Sequence, residues 1–102
     1  SRIYYAHAKD TELYPEDLYQ HGYLYGPSFG RRALNGRGWW RFTLPGFGVV
    51  DWGRYVGGLR EVGYDGVLSV EHEDDAWGWR DDVPRTLEGL KVAAKHLGQF
   101  IA

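Results

Sequence analysis

Apolar and polar positions divide the chain into four patterned stretches and one long unpatterned one. Residues 3–9, IYYAHAK, form a near-continuous apolar run of the kind shown by a strand buried on both faces. With a period of two, Ile3, Tyr5, His7 and Lys9 share one face, and Tyr4, Ala6, Ala8 and Asp10 share the other. The small alanines let a helix approach closely, which turns His7 and Lys9 away from it. Asp51 then reads as the N-cap of a helix with Trp52, Tyr55, Val56, Leu59 and Val62 on one face, ended by Gly63. Gly57 and Gly58 each cost that helix roughly 1 kcal/mol relative to alanine, so close packing is expected there in compensation. Asp65-Gly66 marks a turn and residues 67–71 a second buried strand, with Val67, Ser69 and Glu71 on one face and Leu68, Val70 and His72 on the other. A final helix, capped by Asp81 or Asp82 and with Pro84 in its first turn, keeps Leu87, Leu90, Ala94, Leu97 and Ile101 at helical spacing.

Residues 11–50 carry no sustained period. They hold one short helical candidate at 15–20 and turn signals at Gly26-Pro27, Asn35-Gly36 and Pro45-Gly46. Connections of about 40 residues are functional or disordered far more often than they are simple links, and the aromatic content here argues for order. The sequence of elements is strand, long loop, helix, strand, loop, helix, which is a parallel βαβα unit. No internal repeat or linker divides the chain, so residues 1–102 form one partial domain.

Composition narrows the chemistry. With 102 residues the chain is at most one domain, burying about 60–65% of its unfolded surface. Five tryptophans, eight tyrosines and fifteen glycines suit aromatic-lined pockets built by loops as well as a core. A net charge of −2 provides no basic field, so nucleic acid is not an expected partner. Cysteine is absent, which excludes disulfides and thiolate ligands and leaves nitrogen and oxygen to hold any metal. No run of eighteen apolar residues or signal segment appears, so no membrane partner and a cytoplasmic location are expected.

In parallel α/β folds, ligands sit beyond the carboxyl ends of the strands. His7 and Glu71 occupy such ends, each on the face turned away from the helices. An imidazole and a carboxylate converging there are candidate ligands for a divalent metal: manganese, magnesium, zinc or cobalt. Taken singly, His7 reads equally as a strand-end histidine bonded to a backbone carbonyl, and Glu71 as part of a solvated acidic run, EHEDD. Their equivalent positions favour a shared site.

The segments HAKDTE, LPGFG followed by VDW, and above all GYDGVLSVEHED resemble the C-terminal third of the sugar phosphate isomerase/epimerase family, the xylose-isomerase-like TIM barrels. The resemblance spans nearly the whole chain. It implies the C-terminal βαβα part of a (β/α)8 barrel, with 11–50 as a long active-site loop, in an enzyme that transfers a proton through a metal-bound enediolate. It further implies His7 as a metal ligand at the end of the sixth strand, and Glu71 as a ligand and acid/base at the end of the eighth. Lys9 and Asp10 match a polar pair that contacts substrate or orders the loop, with Lys9 adding charge stabilisation. Arg41 is a candidate for a substrate oxyanion or phosphate. On this reading Trp39, Trp40 and Phe47 are candidates to stack on a sugar, Arg31 and Arg32 to meet a phosphate, and Trp77 and Trp79 to form an interface. A sugar or sugar phosphate is the implied substrate.

Such a barrel needs about 250 residues, so the chain carries half a coordination sphere and is not expected to act alone. Open strand edges would favour a homo-oligomer. Two other readings stay open: a non-enzymatic ligand-binding or assembly module that keeps half the barrel, and a metal nuclease like the type 2 apurinic endonucleases, against which the net charge counts.

Overall fold

The computed structural model describes residues 2–23, 38–78 and 82–101. Within them the chain is mixed α/β, with two small sheets and three helices. Strand β1 (Ala6–Ala8) pairs in parallel with β4 (Leu68–Val70), aligning His7 with Ser69. The expected parallel unit is therefore present, although each strand is shorter than its apolar run. Ile3, Tyr4, Tyr5 and Val67 lie outside the pairing and are exposed. Nor is β1 buried on both faces. Ala6 and Ala8 are buried while His7 between them is exposed, because only one face meets a helix layer.

That layer consists of α2 (Trp52–Glu61) and α3 (Val83–Gly98). Ala8, Trp52 and Leu97 form the core cluster, with Val50, Leu68, Val70 and Phe100 packed against it. Burial of a side chain such as Leu97 supplies about 2 kcal/mol. Asp51 caps α2 by accepting the Arg54 N–H at 3.1 Å, and Asp82 caps α3 by accepting that of Arg85 at 3.0 Å. The end of α2 is a Schellman motif, in which Tyr64 N–H reaches Leu59 O and Gly63 N–H reaches Arg60 O, both at 2.9 Å.

Two packing expectations change. A Cβ added at Gly57 or Gly58 would meet nothing within 4 Å, so close packing does not offset their helix cost. In α3 the buried stripe is Gly89, Ala93 and Leu97, whereas Leu87, Ala94 and Ile101 are exposed and Leu90 is half-buried. Small residues win this face because the helix approaches closely: a Cβ on Gly89 would lie 2.8 Å from Leu44 and 2.9 Å from Trp77.

The long connection is ordered where it is described. Helix α1 (Pro15–His21) matches the helical candidate, with proline at its start. It is flanked by β2 (Asp10–Leu13) and β3 (Trp40–Thr43), an antiparallel pair that the sequence did not announce. Glu12 lies opposite Arg41 and Thr11 opposite Phe42. Pro45 and Gly46 form the centre of a turn closed by Phe47 N–H to Leu44 O at 3.1 Å, with Gly46 at φ +102° as a type II turn requires. The turn signals at 26–27 and 35–36, and residues Arg31, Arg32 and Trp79, lie outside the described residues. Among the described residues no helix is long and apolar enough to cross a membrane.

Candidate active site at the strand ends

Alternation in β1 and β4 sends Ala6, Ala8, Leu68 and Val70 towards the helices and leaves His7, Lys9, Ser69 and Glu71 on the other face. Parallel pairing then brings the far ends together, with Glu71 N–H donating to Ala8 O at 3.0 Å. His7 Nδ1 is hydrogen-bonded to Glu71 Oε1. The other carboxylate oxygen, Oε2, accepts from Lys9 Nζ at 2.9 Å. The Lys9 ammonium also donates to Glu73 Oε1 and sits 3.7 Å from the centre of the Phe42 ring. His7 is anchored from behind, as its carbonyl accepts the Tyr55 hydroxyl at 3.1 Å.

The cluster is half open to solvent, with side-chain exposures of 52% for His7, 39% for Glu71, 30% for Glu73 and 24% for Lys9. Its charges reinforce one another. Hydrogen bonds from Lys9 first and His7 second hold the Glu71 carboxyl below its ordinary range. Burial alone would lower the Lys9 pKa, but the bonds and charges of Glu73 and Glu71 outweigh it and the net shift is upward. Both groups stay charged over a wide pH range.

Of the residues singled out from sequence, His7, Lys9 and Glu71 are brought together. Asp10 is not on that surface: it is completely buried and its carboxylate is saturated. Oδ1 accepts the N–H groups of Thr11 at 2.9 Å and Val50 at 3.0 Å. Oδ2 accepts those of Gly46 at 3.0 Å and Gly48 at 3.2 Å and the Trp52 indole at 2.9 Å. Asp10 therefore orders the loop and cannot reach a substrate. A Cβ on Gly48 would fall 2.3 Å from Asp10 Oδ1, which explains the glycine spacing of LPGFG.

Arg41 is likewise committed. Its guanidinium donates to Glu12 at 2.9 Å and to the fully buried Asp74 at 2.8 Å, and Asp74 also accepts the backbone N–H groups of Leu44 and Ala76. This pair ties β3 to the segment after β4. Trp40 packs edge-on against Phe42 at 4.7 Å and Trp39 at 6.4 Å. Phe47 instead faces Trp77, 5.8 Å away.

Glu73, Phe42, Glu12, Asp74 and Tyr55 were missed from sequence. Only Glu73 left a signal, being two positions beyond Glu71 and so on the same side of an extended strand. A recess of about 420 Å³ opens at the other end of β4, lined by Val56, Leu59, Val67, Leu68 and Ile101 among others. None of the strand-end polar residues lines it. No family model matches the chain, and a search of curated proteins returned no match.

Proposed function

We propose that this chain is the C-terminal βαβα portion of a (β/α)8 barrel, in a divalent-metal-dependent sugar or sugar phosphate isomerase/epimerase. The observation that carries the reading is the convergence of His7 and Glu71 at the carboxyl ends of two parallel strands, on the face away from the helices. Direct pairing of β1 with β4 requires one refinement. Strands that share hydrogen bonds are neighbours in a barrel, so the two would be consecutive rather than sixth and eighth. Their outer edges are where the remaining strands, from another segment or a second copy, would pair.

The donors present fit half of a metal site. His7 Nδ1 and Glu71 Oε1 already meet at one point, and imidazole with carboxylate suits manganese, magnesium, zinc or cobalt. Among the described residues no group of three or more potential ligands is arranged to hold a metal ion, so the other ligands would come from the missing strands. A bound divalent ion would supply Lewis-acid polarisation of a substrate oxygen.

Within this chain, Glu71 is the proton acceptor and later donor at the carbon next to the carbonyl. Lys9, fixed by Glu73 and Phe42, keeps Glu71 ionised and places positive charge beside negative charge developing on the substrate. Phe42 and Trp40 form an aromatic flank next to the polar cluster.

The test is exchange of the substrate's α-hydrogen with solvent deuterium, followed by NMR in the assembled protein, together with its manganese content. His7→Ala and Glu71→Gln are each expected to lower exchange by about 100-fold or more and to reduce bound metal. Unchanged exchange and metal content in both variants would favour the non-enzymatic module.

A further inference from the structure

We infer that Tyr55 is a positioning residue for the candidate metal site: its hydroxyl, backed by the Trp52 ring, holds the carboxyl end of β1 so that His7 stays beside Glu71. The inference rests on the metal-site reading and adds to it a residue from α2.

Successive carbonyls along a strand point to opposite edges. That of Ala8 faces β4 and accepts the Glu71 N–H at 3.0 Å. That of His7 faces the other edge, where the Tyr55 hydroxyl donates to it at 3.1 Å. The end of β1 is thus held from both sides, by β4 and by α2. Trp52 lies one helical turn before Tyr55 on α2, and the two rings meet edge-on with centroids 5.1 Å apart. Trp52 is buried in the core, and its indole N–H donates to Asp10 Oδ2 at 2.9 Å. The first turn of α2 therefore grips the chain at residue 7 and again at residue 10, on either side of Lys9. A buried ring that cannot shift fixes the tyrosine packed on it, and the tyrosine fixes the His7 peptide plane. That plane sets the direction of the Cα–Cβ bond that carries the imidazole. The ring itself is half exposed, touching the edge of Tyr5 at 5.1 Å and hydrogen-bonded to Glu71. Its place consequently depends on the backbone beneath it, and partners that orient a metal ligand commonly govern affinity 10- to 100-fold.

The experiment titrates the full chain with manganese(II) chloride and follows paramagnetic broadening of the His7 and Glu71 NMR signals. Tyr55→Phe keeps the ring on Trp52 and removes only the hydroxyl, and it is expected to weaken manganese binding about tenfold. Tyr64→Phe removes a bond of the same kind, from the Tyr64 hydroxyl to the Val67 carbonyl just before β4, and is expected to leave manganese affinity unchanged. In the His7→Ala background, adding Tyr55→Phe is expected to cause no further loss. Equal affinity in wild type and Tyr55→Phe overturns the role of Tyr55 and leaves the metal-site reading standing. An equal loss in Tyr64→Phe overturns it too, as a general loosening of the fold. So does a further loss in the His7→Ala background, since Tyr55 would then act through another group. If manganese broadens neither signal in the wild-type chain, the metal-site reading falls and the inference falls with it.

Discussion

Asp10 and Glu71 are two carboxylates at the ends of neighbouring strands, and they are held in opposite ways. Asp10 has no solvent exposure, and its five donors are four backbone N–H groups and one indole. None of them can leave without moving the loop. Glu71 is half exposed and its carboxylate is held by the side chains of Lys9 and His7, which can rotate away and accept a new partner. An acid saturated by backbone builds structure, whereas an acid held by exposed side chains remains available for chemistry. Residue type does not separate the two roles; the identity of the donors does.

The largest expected effect comes from Asp10→Ala. It strands several buried donors at about 1–3 kcal/mol each, a sum comparable to the whole stability of a small domain. The variant should lose chemical-shift dispersion and cooperative unfolding. A variant that unfolds cooperatively near the wild-type denaturant midpoint would remove the structural half of the comparison.

Arg41→Met should rank next. It leaves the buried carboxylate of Asp74 without its cation, at a cost of about 3–5 kcal/mol read from the urea midpoint. A change close to zero would mean that the Leu44 and Ala76 N–H groups suffice for Asp74.

The smallest effect belongs to the exposed cluster and is seen in its pH dependence. A carboxyl with a lowered pKa contributes stability that is present above its ordinary value and lost as pH falls through the lowered one. Lys9, with a raised pKa, contributes stability that is present below the ordinary lysine value and lost as pH rises through the raised one. Between those limits the cluster should add a modest, salt-sensitive increment. As pH is lowered from about 6 to 2, urea midpoints should fall more steeply for wild type than for Glu71→Gln at low salt, and in parallel at high salt. Parallel curves at both salt concentrations would mean that Glu71 is not coupled to folding.

Local chemistry was legible in the sequence wherever neighbours along the chain decide the outcome. Asp51 and Asp82 announce their helices, Pro45-Gly46 its turn, and Ala6 and Ala8 the helix-facing side of β1. That side fixes the face of His7, Lys9 and Glu71, so the centre of the candidate site was readable too. The β2–β3 pair was not, because DTEL is mostly polar, the alternation of WRFT lasts only four residues, and their pairing joins residues about 30 apart. The partners of Asp10 and Arg41 follow from that unseen pairing. Their full commitment to the interior was therefore hidden: Arg41 read as a group for a substrate oxyanion or phosphate, and Asp10 as one that contacts substrate or orders the loop. The stripe on α3 moved for a related reason, since the contacts of Gly89 with Leu44 and Trp77 depend on the fold of the long connection.

The Asp10 knot has a further consequence for how the chain assembles. β1 and β4 are 62 positions apart, a costly loop to close before any pairing is gained. Asp10 joins residues 36 to 42 positions further along, and once it does so the effective separation of the strands falls to about 20 residues. By the logarithmic law of loop closure that shortcut lowers the entropy cost by about 1 kcal/mol. In a chain without cysteine, the carboxylate serves as a cross-link that forms without an oxidant and is indifferent to the redox state of its compartment.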